Sequence, residues 1–211
     1  MEHFYAQRGE DRMLLNFLGL WPSAKNRTGF YVDIGAWEPS LDSVTKHFYD
    51  HGWNGINVEP SPFYYPKLVE ERPRDINLMF AISDEPGWGP MTFFEGSGLS
   101  TLNEEFAAEG AKQFESIRLN TRAVRLDAML DEYLPVDQSI DFLKIDVEGW
   151  EKYVIQSNDW EKYRPRILVI ESTLPNSPIQ NHHKWEPIVL AARYEYLDFD
   201  GLNRYYCRQG V

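Results

Sequence analysis

The chain has 211 residues, enough for one domain with a sizeable core, and its 43% hydrophobic and 26% charged content is ordinary for a globular protein. Its 21 Lys and Arg stand against 33 Asp and Glu, a net charge of −12, and with no basic run it is not expected to bind nucleic acid or an anionic membrane surface. No apolar stretch approaches the ~20 residues of a membrane span, the start lacks a signal-peptide pattern, and the single Cys207 fits a reducing compartment, so a cytoplasmic location is expected.

Residues 11–20 have the spacing of an amphipathic helix and are followed by the breakers Pro22 and Gly29. Residues 30–34 form a first apolar strand; Leu41, Val44, Phe48 and Tyr49 then recur at helical spacing, with Gly52 as a stop. Residues 55–59 read as a second strand. Ser61-Pro62 reads as an N-cap with Pro at the first helical position, opening a helix to about residue 71. A third strand is expected over 77–82. A turn-rich insertion over 83–102 holds a short strand at 91–94, then 104–116 reads as helix and 117–124 as extended. A fourth strand over 141–145, a helix over 148–157, a fifth strand over 166–170 and a helix over 185–193 follow. The chain closes on strands at 194–199 and 203–207, joined through Asp200-Gly201, a two-residue hairpin signal. Strands alternating with helices imply a parallel sheet. The fold expected is a single-domain, doubly wound, Rossmann-like α/β protein, with a mostly parallel seven-stranded sheet closed by an antiparallel hairpin. A plain dinucleotide fold would not predict that hairpin.

In such sheets ligands bind beyond the carboxyl ends of the strands, and here those ends are acidic. The first turn, Asp33-Ile-Gly35-Ala-Trp37-Glu38, keeps one glycine but places a bulky ring and a carboxylate where a dinucleotide fold needs room for a pyrophosphate. These residues suit a cationic ligand better, and S-adenosylmethionine is one. The bland alternative makes Asp33 a helix-capping carboxylate. Glu59 ends the second strand one βαβ unit later, where an acid accepts both ribose hydroxyls, and Ser61 follows it. Ile82 is positioned to pack on an adenine face, with Ser83 or Asp84 at its edge; simple packing is the equal alternative.

Residues 141–151 (DFLKIDVEGWE) crowd charge at one strand-to-helix junction. Asp146 emerges at the strand end, Glu148 and Glu151 share a face of the expected first helical turn, and Lys144 sits in the strand to pair with one of these acids. Neighbouring carboxylates raise one another's pKa, which suits one of them to deprotonate a hydroxyl. They also suit an oxygen-liganded divalent cation such as Mg²⁺, an open alternative rather than a committed metal site. The plain alternative, that Glu148 and Glu151 only complement the helix dipole, fits Glu151 better. Glu171 ends the fifth strand as a further substrate or metal ligand, and His183, beside His182, is a candidate base or substrate contact.

The chain resembles the FkbM-like family of S-adenosylmethionine-dependent methyltransferases, whose class I sheet also reverses only its last strand. The resemblance rests on residues 7–11 (QRGED), 31–36 (YVDIGA), 52–60 (GWNGINVEP), 81–83 (AIS), 99–102 (LSTL), 142–149 (FLKIDVEG) with Glu151, and 200–204 (DGLNR). It implies O-methylation of a sugar, glycan or natural-product hydroxyl, and cofactor contacts at Asp33, Gly35, Glu59, Ser61, Ser83 and Asp146. It also implies a lid or pocket wall from residues 7–11, within an N-terminal segment 1–29 preceding a methyltransferase domain over 30–211. Such a chain is in some cases one module of a larger glycan-synthesis polypeptide or assembly. A metal-assisted methyltransferase and a non-catalytic S-adenosylmethionine-binding module are the competing readings.

Overall fold

Along the first strand, apolar side chains alternate between two cores. In a computed structural model, which describes residues 2–210, Phe30, Val32 and Ile34 of β1 (Phe30–Ile34) face one hydrophobic cluster while Tyr31 faces another. A strand buried on both faces must lie inside a sheet covered by helices on both sides. That is the arrangement found. The strands preceding the insertion are β1, β2 (Asn54–Val58) and β3 (Ile76–Leu78), with α1 (Glu10–Phe17), α2 (Lys46–Asp50) and α3 (Tyr65–Glu71) around them. The insertion holds β4 (Ala81–Ile82), β5 (Gly87–Phe94), α4 (Glu104–Gly110) and β6 (Ser116–Val124). Then come α5 (Leu126–Tyr133), β7 (Phe142–Ile145), α6 (Glu151–Gln156), β8 (Ile167–Glu171), α7 (Glu186–Ala191), β9 (Tyr194–Phe199) and β10 (Asn203–Arg208).

The main sheet has seven strands in the order β3-β2-β1-β7-β8-β10-β9. All pairings are parallel until β10, which runs antiparallel to both β8 and β9. The reversed strand is therefore inserted between its neighbours rather than added at the rim. Leu14 and Leu15 of α1, Phe48 of α2 and Trp53 pack on Tyr31, Phe142, Val169 and Tyr205 on one face. Leu126, Met129, Val154, Ile155 and Val189 from α5, α6 and α7 cover the other. No helix among the described residues is long and apolar enough to cross a membrane.

Several boundaries differ from the sequence reading. The expected strand over 77–82 breaks in two. Leu78 is the last residue to pair with β2, and Ala81 and Ile82 pair with β6 in a separate three-stranded sheet, order β4-β6-β5. That sheet is dominated by a β5–β6 pairing running from Gly87 to Phe94, longer than the four-residue strand expected. The helix after Ser61 starts later, at Tyr65, with Pro66 in the first turn; the Ser61 hydroxyl instead accepts the Phe63 N–H at 3.2 Å. The helix after β7 starts at Glu151 because Glu148 and Gly149 hold left-handed φ of 53° and 88°. Glu148 and Glu151 thus do not share a helical turn. The closing loop takes in Leu202 as well as Asp200 and Gly201, and Asp200 Oδ1 accepts the N–H groups of Leu202 (2.8 Å) and Asn203 (2.7 Å). Helix α5 was not anticipated at all.

Candidate active site

The carboxyl ends of β1, β2, β7 and β8 open into one cavity of about 670 Å³. Asp33, Gly35, Glu59, Ile82, Asp146, Glu148 and Glu171 all line it. Ser61, Ser83 and His183 do not. Ser61 is fully buried behind Glu59, and Ser83 is buried with its hydroxyl accepting the Trp150 Nε1–H at 3.3 Å. His183 is exposed on a single 3-10 turn over 182–184.

Strand register explains why the acids converge. Asp33 is the direct partner of Lys144 in the β1–β7 pairing, and adjacent partners project on the same face. Lys144 Nζ therefore lies 3.3 Å from Asp33 Oδ1, 3.4 Å from Asp146 Oδ2, and donates to the Gly35 carbonyl at 2.6 Å. The sequence suggested one acidic partner for this lysine; it has two. Burial disfavours the ammonium, but Asp33 and Asp146 outweigh it and hold the Lys144 pKa above the ordinary lysine value. Burial pushes the Asp33 carboxyl up, while Lys144 and the Thr45 hydroxyl, 3.2 Å from Oδ2, pull it back.

At the β1–β2 tip the chain turns tightly. Gly35 has φ +82°, and a Cβ there would sit 1.8 Å from the Asp146 carbonyl oxygen, so only glycine fits between the two strand ends. Trp37 also takes a positive φ, 51°. Its N–H donates to Glu59 Oε2 at 2.8 Å, and the Ser61 N–H donates to Glu59 Oε1 at 2.8 Å. Each Glu59 oxygen thus holds a backbone amide and keeps a lone pair for another donor. Burial raises the Glu59 pKa to about 7, against the pull of those two amides. Glu38 does not line the cavity and is ion-paired with Lys67.

The β7–β8 tip is arranged differently. Carboxylate oxygens of Asp146, Glu148 and Glu171 lie within 4.8 Å of one another. Glu148 Oε2 and Glu171 Oε2 are buried with no hydrogen-bond partner among the described residues. Burial, then the charge of Asp146, holds both the Glu148 and the Glu171 carboxyl well above the ordinary glutamate value. Glu151 is spent on structure: its Oε1 accepts the N–H groups of Gly149 (2.9 Å) and Val147 (3.3 Å), fixing the loop that carries Glu148. Thr101 assists by donating its hydroxyl to the Glu148 carbonyl at 2.9 Å.

Sequence reasoning missed Glu10 and Asn203 as cavity residues. Glu10 is buried, lines the cavity and has its pKa raised to about 7 by burial. Asn203 Nδ2–H donates to Glu10 Oε1 at 2.9 Å. Both lie in stretches that carried the resemblance: 7–11, expected as a lid or pocket wall without Glu10 being singled out, and 200–204, to which no role was attached. Gln7 and Arg8 line the cavity too.

Chemically, the cavity favours a cation over a phosphate, since Glu10, Asp33, Glu59, Asp146, Glu148 and Glu171 outnumber Arg8 and Lys144 in its lining. The buried indole N–H of Trp37, unpartnered among the described residues, and the remaining lone pairs of Glu59 offer a donor and acceptors for a polar nucleoside. Asp146, Glu148 and Glu171 are the residues able to hold a divalent cation. A family model described as Methyltransferase FkbM domain matches residues 33–196, from the acid at the end of β1 into β9. A search of curated proteins found no match to the chain.

Proposed function

The chain belongs to the FkbM methyltransferase family, and from that premise we propose that it is an S-adenosylmethionine-dependent O-methyltransferase acting on a hydroxyl of a sugar, glycan or natural product. One observation carries this reading: unpaired, buried carboxylates at the β7–β8 tip open into the same cavity as the orderly acidic tip at β1–β2. The donor, when bound, supplies an electrophilic methyl group. Asp33 and Gly35 would shape its pocket, Glu59 would take the ribose hydroxyls and Ile82 would pack on the adenine, with Ser61 and Ser83 holding these elements in place from behind. Asp146, which lines the same cavity, would face the methyl-bearing end of the donor.

The acceptor hydroxyl would give its proton to Glu148 or Asp146 as its oxygen bonds to the methyl carbon, the methyl–sulfur bond breaking to release the neutral thioether. Because the donor loses positive charge during transfer, holding the cation tightly does not by itself speed the step; the carboxylates must also serve the nucleophile. Positioning of oxygen against methyl supplies much of the rest. Trp37 and Trp150 line the cavity with flat apolar faces suited to a sugar ring. In this reading residues 1–29 carry the pocket wall, 30–211 form the transferase domain, and the protein works in the cytoplasm, alone or as a module of a glycan-synthesis assembly.

A second reading has Asp146, Glu148 and Glu171 hold Mg²⁺, which lowers the pKa of a bound hydroxyl; the clustering of their oxygens within 4.8 Å favours it. Calorimetry with S-adenosylmethionine, followed by a screen of glycan fragments with labelled donor, tests the proposal. Binding of NAD⁺ with indifference to S-adenosylmethionine sinks it, and donor binding without any transfer leaves a binding module. Transfer that survives EDTA removes the magnesium reading.

A further inference from the structure

Outside the cavity, the N-terminal arm and α2 bring a second set of ligating side chains together. His47 and His51 are one helical turn apart and share a face, with ring centroids 4.3 Å apart. Each ring is oriented by a backbone carbonyl: His47 Nδ1 donates to the His3 carbonyl at 2.8 Å, and His51 Nδ1 to the His47 carbonyl at 2.6 Å. A carbonyl only accepts, so both Nδ1 atoms carry hydrogen, and the neutral rings present lone pairs at Nε2. His47 has no exposed surface, and its Nε2 has no partner among the described residues. His51 Nε2 lies 3.0 Å from Glu2 Oε2. Two lone-pair bearers at that separation repel unless a proton or a metal cation lies between them. The other Glu2 oxygen is occupied, accepting from Lys25 Nζ at 2.7 Å.

We propose that Glu2, His47 and His51 form a binding site for a borderline divalent cation such as Zn²⁺, separate from the methyl-transfer cavity. Their three ligand atoms lie within 4.8 Å of one another. Two imidazoles and a carboxylate match zinc and disfavour the all-oxygen preference of Mg²⁺ and Ca²⁺. An imidazole whose second nitrogen donates to a carbonyl is the usual support for a metal ligand, because it fixes both tautomer and ring plane. Water completes the coordination from the open side, where the Glu2 and His51 side chains keep 24% and 11% exposure. The site bears on the cavity through the chain. After Glu2, the Tyr5 hydroxyl donates to Asp50 and its N–H to Asp11, both at 2.7 Å, and the next residues are the cavity wall at Gln7 and Arg8. A cation at Glu2 fastens this arm to α2 and steadies that wall.

The test uses the tag-free 211-residue chain, titrated with Zn²⁺ against a chromophoric chelator and with Co²⁺ by visible absorption. One equivalent is expected to bind, with a four-coordinate Co²⁺ spectrum and a rise in Tm on adding Zn²⁺. His51→Ala and Glu2→Gln should each weaken Zn²⁺ binding by about tenfold or more, and His51→Ala should lose the Tm rise. Glu171→Gln should leave Zn²⁺ binding unchanged. Glu2 sits at the rim, so its variant keeps the test decisive if His51→Ala does not fold. Failure to bind Zn²⁺, binding indifferent to both variants, binding lost in Glu171→Gln, or a His51 ring that NMR shows protonated and undisplaced by Zn²⁺ would each overturn the assignment.

Discussion

Glu59 and Glu171 are both 5% exposed at the carboxyl ends of strands in one sheet, yet they do opposite things. Glu59 gives each oxygen a backbone amide, from Trp37 and Ser61. Glu171 leaves Oε2 without a partner and faces Asp146 and Glu148. The first carboxylate fixes a turn and has lone pairs left over, an arrangement for recognising a ligand. The second stores repulsion that a proton, a cation or a substrate must relieve, an arrangement for chemistry. In the proposed reading, the same residue type serves binding or reaction according to how many donors the backbone lends it.

The largest effect is expected at the reactive tip. Asp146→Ala should lower kcat for methyl transfer by roughly 10²–10⁴-fold, the range a positioned acid–base group supplies, while circular dichroism stays unchanged. Glu148→Gln should behave similarly, whereas Ser61→Ala, behind the ordered tip, should cost far less. If both acidic variants keep activity within about tenfold of the parent, the distinction between the tips has no catalytic meaning. The join between the tips is the next test. At Gly35→Ala the new Cβ meets the Asp146 carbonyl at 1.8 Å and φ +82° penalises any side chain. A loss of about 3 kcal/mol or more in denaturant unfolding is expected. A loss below about 1 kcal/mol would mean the two strand ends move apart freely.

Much of this comparison was legible in the sequence, because hydrophobic runs ending in acids locate strand ends directly. Asp33, Glu59, Asp146 and Glu171 were found that way, and all line the cavity. Register was not legible. That Asp33 pairs with Lys144, and Glu171 with Asn203, depends on which strands become neighbours, and no local pattern encodes it. Glu148 was misplaced for a backbone reason: the left-handed pair Glu148-Gly149 delays the helix to Glu151, while an Asp-x-Glu-Gly run reads equally well as a helix start. Glu10 was not singled out within the 7–11 pocket wall because the sequence pattern starts the helix at residue 11, and only the structure puts Glu10 in its first turn, buried. Its burial against Asn203 joins residues 193 apart in sequence.

At the ordered tip, Glu59→Gln should weaken S-adenosylmethionine binding by about ten- to hundredfold, the loss of one charge-assisted contact, with kcat at saturating donor little changed. The amide side chain cannot accept from Trp37 and Ser61 with both of its ends, so a Tm decrease should accompany it. Calorimetry with adenosine alone sharpens the reading: if the variant binds adenosine as well as the parent does, Glu59 is a turn-holder without a ribose role.

The smallest effect carries the comparison furthest, because its sign is opposite at the two tips. Carboxyls whose folded pKa is raised above the ordinary value hold protons in the folded state that the unfolded chain has released. Their contribution to stability is complete below the ordinary carboxylate pKa and is lost as pH rises through the raised values, about 7 for Glu10, Glu59 and Glu151, with Glu171 also raised by burial and the charge of Asp146. The protein should therefore melt at a lower temperature at pH 8 than at pH 5.5. Glu171→Gln removes a charge from the crowded tip without removing its bulk. At pH 8 it should raise stability by about 1 kcal/mol, or ~3 °C in Tm, while methyl transfer falls. As pH falls the raised Glu171 carboxyl takes up its proton, and the gain at pH 5.5 should be smaller than at pH 8. A Glu171→Gln variant that melts lower at pH 8, as expected for Glu59→Gln, would place Glu171 among the structural carboxylates and erase the contrast between the two ends of the sheet.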